Sequence, residues 1–301
     1  MMKKFDSLLD TLHSLFLSEK TRERSEKVII GIAIISFIIH LALILLKDYL
    51  PWFAFNSELF NNPIAAIYTP FSFILVYEVY LLVYYLPKSI SLYISKQYEI
   101  ITLVIIRRIF KDLSNLDLQS NWFENSYDLQ LTFDLITTLL LFGLILLFNK
   151  LNVVRKKIRG SSEPITGSLS LLIRRKKIMA ILLVPIFVAL ALYSFGTWIA
   201  DITGAANAGI DTLGDINLIF FNEFFTILIL ADVLLLLFSF FHTDQFNAVI
   251  RNSGFIISTI LIRLSFSTSG LVNDLLVVVA VTFGVLILWI NNKYYNLIDP
   301  E

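Results

Sequence analysis

The chain has 301 residues, of which 57% are apolar or aromatic and 16% are charged, whereas an ordinary soluble domain carries about 25% charged residues. Lys and Arg together number 24, as do Asp and Glu, so net charge does not favour nucleic acid as a partner. The sequence has no cysteine, which excludes disulfides and cysteine-based metal or nucleophile chemistry. This composition predicts an all-α integral membrane protein, since helices satisfy their own backbone hydrogen bonds in lipid.

The first predicted element is an amphipathic helix within residues 1–27. Phe5, Leu8, Leu12 and Leu15 recur there at helical spacing, which places them on one face of a helix. We therefore expect a cytoplasmic N-terminal segment that lies on the membrane surface or on a partner.

Eight apolar runs follow, each long enough to cross a bilayer of about 30 Å. They cover residues 28–47, 63–86, 92–110, 130–148, 178–199, 216–241, 247–265 and 270–292. The third and seventh runs carry basic residues, so an amphipathic helix in the membrane interface is the alternative for each. The sequence predicts about eight transmembrane helices.

Basic residues are unevenly distributed between the predicted loops. With eight crossings and a cytoplasmic N-terminus, 19 of the 24 Lys and Arg residues lie on the inner side, as is typical of cytoplasmic loops. Nine of them occupy a linker at residues 149–177. We expect both termini and this linker in the cytoplasm, the chain in the inner or plasma membrane, and anionic lipid at the linker. A homo-oligomer is left open.

An internal repeat relates residues 28–148 to residues 178–301, because charged residues coincide when the two segments are aligned. An offset of 154 residues places Glu78 on Asp232, an offset of 155 places Lys96 on Arg251 and Arg108 on Arg263, and an offset of 140 places Asp134 on Asp274. Matching charges carry more weight than matching leucines, which any two apolar helices share. The pattern predicts a tandem repeat of two four-helix units, parallel because each unit has an even number of crossings.

A charge in the hydrocarbon layer costs at least about 2.5–3.5 kcal/mol, so it usually has a partner or a function. The repeat predicts an inner ion pair and an outer ion pair in each half: Glu78 with Lys96, Asp232 with Arg251, Arg108 with Asp134, and Arg263 with Asp274. These pairs either hold helices together or belong to an ion path. Glu223 favours a path, because its repeat equivalent is the uncharged Thr69.

The sequence contains no phosphate loop, nucleophile elbow, dinucleotide fingerprint or metal-binding histidine spacing, so we expect no metal, no cofactor and no enzyme activity. The leading hypothesis is a channel or secondary transporter for protons or a small cation, with Glu78, Asp232 and Glu223 lining the path. The alternative is a membrane sensor or scaffold that transports nothing and in which the charge pairs are structural.

A four-helix unit with an acid in its second helix, such as Glu78, is similar to a voltage-sensor domain. The fourth helix of that family carries Arg or Lys at every third position, whereas residues 130–148 contain neither. No residue role is carried over from that family.

Overall fold

The computed structural model describes residues 2–46, 63–114, 126–159, 167–208, 216–240 and 246–298, and within these ranges it contains helices and no strand. The helices are α1 (Met2–Phe16), α2 (Glu19–Leu46), a short 3₁₀ helix (Pro63–Ile67), α3 (Tyr68–Tyr85), α4 (Ile90–Ser114), α5 (Ser126–Arg159), α6 (Gly167–Ala208), α7 (Ile216–Phe240), α8 (Phe246–Ser265) and α9 (Leu271–Ile298). The predicted all-α class is confirmed for this part of the chain.

Six of the described helical segments are long and apolar enough to cross a membrane: Ser7–Leu46, Asp128–Val154, Leu171–Tyr193, Glu223–Phe240, Phe246–Ser265 and Leu271–Tyr294. These segments indicate a membrane protein. α3 adds a shorter apolar stretch, Thr69–Tyr85. α4 is not among the six, because Lys96, Glu99, Arg107 and Arg108 interrupt its apolar sequence. The count of eight crossings stays a prediction.

Two compact units make up the chain. Unit 1 comprises Met1–Tyr84, Arg107–Leu131 and Ile181–Phe225, and unit 2 comprises Tyr85–Ile106, Thr132–Ala180 and Thr226–Glu301. Each unit draws residues from both halves of the sequence, so the tandem repeat is not tested by this division and stays a prediction.

In unit 1, the junction between α1 and α2 is held against α3. The Ser18 hydroxyl accepts a hydrogen bond from the Thr21 backbone N–H at 3.2 Å, which caps the start of α2. The Tyr80 hydroxyl donates to the Phe16 carbonyl at 2.9 Å. In α1, which forms where the sequence predicts an amphipathic helix, Leu9 is buried and Leu8 is exposed.

The core of unit 2 is built around Tyr98 of α4. Its ring packs edge-on against Phe148 of α5 at 5.2 Å between centroids, and its hydroxyl is 2.7 Å from the Ser258 hydroxyl of α8. Ser258 in turn donates to the Ala280 carbonyl of α9 at 2.6 Å. These buried contacts join four helices, and a side chain at Gly284 of α9 would overlap the Tyr98 hydroxyl.

Within unit 2, the predicted linker at residues 149–177 is largely helical. α5 continues to Arg159 and α6 begins at Gly167, while residues 160–166 lie outside the described part of the chain. The end of α5 is anchored by polar contacts, since the Ser95 hydroxyl donates to the Asn149 side-chain carbonyl at 2.7 Å. Asn292 of α9 donates to the Leu151 carbonyl at 2.9 Å.

Candidate functional site around Asp232

Asp232 lies in α7 and is only 2% exposed. Its carboxylate accepts a hydrogen bond of 3.0 Å from the side-chain amide of Gln97 in α4. Gln97 is buried as well. A buried carboxylate needs such donors, because transfer of a charge from water to an apolar interior is costly unless hydrogen bonds or an opposite charge compensate it.

Tyr93 stands one helical turn before Gln97 in α4 and so faces the same side of that helix. Its buried side chain lies beside the Asp232 carboxylate. The Tyr93 hydroxyl interacts with the Asp232 carboxylate, and the Gln97 side-chain oxygen is buried without a hydrogen-bond partner among the residues that the structure describes. Buried polar atoms in native proteins usually have a partner, either protein or water.

A small cavity of about 20 Å³ adjoins these side chains. The polar residues that line it are Tyr93, Lys176, Asp232 and Asn252, and the remaining lining residues are leucines and isoleucines of α4, α7 and α8 and of the turn after α3. About 10–15 Å³ is enough to hold one water molecule. The cavity therefore has the volume of one water molecule, and its wall is almost entirely apolar.

Lys176 of α6 contributes a buried positive charge to the same cavity. It is 5% exposed, and its ammonium donates to the Lys88 carbonyl at 3.1 Å in the turn that follows α3. It interacts electrostatically with Asp232 and with Arg251. Sequence reasoning assigned Lys176 to the cytoplasmic linker, whereas the structure buries it beside Asp232.

Arg251 and Asn252 lie in the first half of α8, and both are buried. The Arg251 guanidinium donates twice to the Asn252 side-chain oxygen, at 3.2 Å and 2.8 Å. The Asn252 amide donates to the Ser239 hydroxyl of α7 at 3.0 Å. Asp232 thus accepts a hydrogen bond from Gln97, whereas Arg251 donates to Asn252. The predicted pairing of Asp232 with Arg251 stays a prediction.

The other predicted inner pair involves Lys96, whose ammonium forms an ion pair with Glu99 one turn further along α4. The ammonium also lies 5.4 Å from the centre of the Tyr85 ring. Glu78 is half-buried in α3 and belongs to unit 1, whereas Lys96 belongs to unit 2. Their pairing stays a prediction.

The predicted outer pairs are placed as follows. Arg263 and Asp274 lie on either side of the turn between α8 and α9, where Gly270 adopts a positive φ of 67°, a conformation that glycine accepts without strain. Asp274 is buried and Arg263 half-buried. Asp134 is fully buried in unit 2, and Arg108 belongs to unit 1. Both outer pairings stay predictions.

Glu223 is exposed and lies within α7, which begins at Ile216. Its repeat equivalent, Thr69, forms a hydrogen bond with His40 of α2. The proposed role of Glu223 in an ion path stays a prediction.

Sequence reasoning missed Gln97, Tyr93, Asn252 and the burial of Lys176. One signal was present, because the offset of 155 residues that aligns Lys96 with Arg251 also aligns Gln97 with Asn252. A matched amide beside each matched cation inside an apolar run indicates a buried polar layer.

Among the described residues, no group of three or more His, Asp or Glu side chains is placed to hold a metal ion. Comparison with protein-family models, with curated proteins and with solved structures finds no match for this chain. Any functional proposal for it therefore rests on its own residues.

Proposed function

We propose that this protein carries protons or a small cation across a membrane and that Asp232 is the carboxylate that binds the ion during transfer. The observation that carries the proposal is the burial of Asp232 next to a cavity with room for one water. Its helix is among those long and apolar enough to span a bilayer. Ionisable groups inside transmembrane segments are costly and commonly belong to ion or proton pathways.

The surroundings of Asp232 support exchange rather than a static contact. Gln97 supplies one hydrogen bond to the carboxylate, and the neighbouring Tyr93 hydroxyl interacts with the same carboxylate. Water and hydroxyl groups can pass a proton along a chain of hydrogen bonds.

The test is a flux measurement on the full-length protein in liposomes, with an entrapped pH dye and separate assays for monovalent cations. Asp232→Asn should reduce the flux at least about tenfold, because Asn keeps the size and most hydrogen bonds but cannot take up a proton or balance a cation. Asp134→Asn is the matched control, since Asp134 is also a fully buried carboxylate of unit 2. Equal flux in the wild type and Asp232→Asn removes Asp232 from the path.

A second candidate function, a membrane sensor or scaffold without transport, is favoured by a different observation. α1 exposes Leu8 and Leu15, which stand seven residues apart and so share a helix face, and such a face can bind a membrane surface or another protein. If correctly folded wild-type protein shows no flux of any ion tested, the sensor or scaffold function replaces the transport proposal.

For the arrangement in the membrane we propose eight crossings, α2 to α9, in two parallel four-helix repeats with both termini in the cytoplasm. The charged residues that coincide between the two halves and the uneven distribution of Lys and Arg support this proposal. The basic residues of 149–177 are proposed to contact anionic lipid at the cytoplasmic surface.

A further inference from the structure

We infer that α1 lies in the interface of the lipid bilayer, with the side chains of Leu8 and Leu15 at the boundary between the headgroups and the acyl chains. The inference names the occupant of the exposed leucine side of α1, for which a membrane surface and another protein are the two candidates. It does not rest on the transport proposal, because α1 belongs to unit 1 and Asp232 to unit 2.

Three sides of α1 have different surroundings. One side is packed, since Leu9 is buried and so is Leu17, which directly follows the helix. A second side is polar and exposed, and it consists of Ser7, Asp10, Thr11 and Ser14. The third side carries Leu8 and Leu15, whose exposed fractions are 57% and 60%. Because each residue turns the helix by about 100°, the two leucines point away from the polar side. A helix that meets protein, water and lipid at the same time needs three such sides.

Two contacts place the junction of α1 and α2 beside the tyrosines of α3. The Tyr80 hydroxyl donates to the Phe16 carbonyl at 2.9 Å. The Arg22 guanidinium of α2 lies 5.5 Å from the centre of the Tyr84 ring. Both tyrosines lie near the end of the apolar stretch Thr69–Tyr85. Tyrosines collect at the membrane–water interface, because their ring is apolar and their hydroxyl is polar. The end of α1 therefore lies at the level of this interface.

The short connection to α2 keeps α1 close to the bilayer. α1 ends at Phe16 and α2 begins at Glu19, and the Thr21 hydroxyl donates to the Leu15 carbonyl at 2.9 Å across the junction. The segment Ser7–Leu46, which contains most of both helices, is long and apolar enough to include a membrane crossing. Lipid is therefore already present beside α1, and burial of the exposed leucine side in it removes apolar surface from water.

The test uses the full-length protein in liposomes. The native chain has no cysteine, so single cysteines can each carry one bimane label. Leu8→Cys and Leu15→Cys place the label on the leucine side, and Ser7→Cys and Ser14→Cys are the matched controls on the polar side. All four positions are exposed, so these changes leave the buried side chains intact. Nitroxide-labelled lipid should quench the labels at positions 8 and 15 at least about threefold more than those at positions 7 and 14, and aqueous iodide should show the reverse order.

Three results would refute the lipid contact. Equal quenching by iodide at all four positions would show that the leucine side faces water. Labels at positions 8 and 15 that neither quencher reaches would show that protein covers this side, either a second copy of the chain or another protein. Quenching by lipid at only one of the two positions would contradict a common lipid-facing side. Circular dichroism checks the fold of each labelled variant, and if one variant does not fold, the other position on the same side decides.

Discussion

Gln97 of α4 donates a hydrogen bond of 3.0 Å to Asp232 of α7, although 135 residues separate them in the sequence. This contact brings a buried amide to a buried carboxylate inside unit 2. Asp232 also lines the cavity that Tyr93 and Lys176 line. The stability of the fold and the chemistry of the proposed site therefore depend on the same hydrogen bond.

The first prediction concerns this bond. Gln97→Leu should lower the free energy of unfolding by about 1–3 kcal/mol, because a buried charged acceptor loses its donor. The loss should be smaller in an Asp232→Asn background, where the group left without a donor is neutral. The measurement is a double-mutant cycle from denaturation in detergent. Strictly additive effects would show that the two side chains are not coupled.

The second prediction tests the pairing of Asp232 with Arg251 that the sequence suggests. Removing one member of a buried ion pair costs about 3–5 kcal/mol, with the double change milder than the sum. The structure directs the Arg251 guanidinium to Asn252, so we expect a coupling energy between Asp232→Asn and Arg251→Gln that is smaller than the one between Gln97 and Asp232. The same detergent assay measures both cycles. A larger coupling for Arg251 would favour a direct ion pair.

The third prediction compares two glycines, Gly284 of α9 and Gly143 of α5. Gly284→Ala should destabilise the protein by about 1–3 kcal/mol, because the added methyl group would overlap the Tyr98 hydroxyl and disturb its contact with Ser258. Gly143→Ala is the matched control, since a methyl group there meets no atom within 4 Å. Thermal unfolding of both variants checks the difference. Adding Tyr98→Phe should recover part of the loss at Gly284, and equal effects of the two alanines would contradict the packing described.

The fourth prediction concerns Glu223, which is exposed on α7. Glu223→Gln should change the free energy of unfolding by less than about 0.5 kcal/mol, as is usual for surface positions. If Glu223 attracts protons or cations to the path, the change should lower flux about two- to tenfold at low ionic strength, and less in high salt. Glu223→Asp keeps the charge and is the control. Unchanged flux at low salt would exclude Glu223 from the path.

The fifth prediction is the orientation in the membrane. The native chain has no cysteine, so a single introduced cysteine gives labelling without background. A cysteine at position 160 should react with an impermeant thiol reagent only after the membrane is permeabilised, because the basic linker is expected in the cytoplasm. A cysteine at position 205 should react in intact cells. Labelling of position 160 from outside would overturn the orientation.

The sequence by itself determined the helical class and the positions of most helices. Apolar runs of about 20 residues have to form helices in lipid, since their backbone groups find no water there. The run predicted at residues 247–265 forms α8 at Phe246–Ser265, and the run at residues 270–292 begins α9 at Leu271. These features follow from local composition alone.

Only the tertiary structure decided which side chains meet. The spacing of residues in the sequence sets the position of a charge along the helix axis. The rotation of each helix about that axis depends on how all of its side chains pack against the neighbouring helices. That packing turns Gln97 of α4 toward Asp232 and brings Lys176 of α6 to the same cavity. A charged residue in a predicted linker is expected to be exposed to solvent. Only the arrangement of α4, α7 and α8 around Lys176 shows that it is buried and lines the same cavity as Asp232.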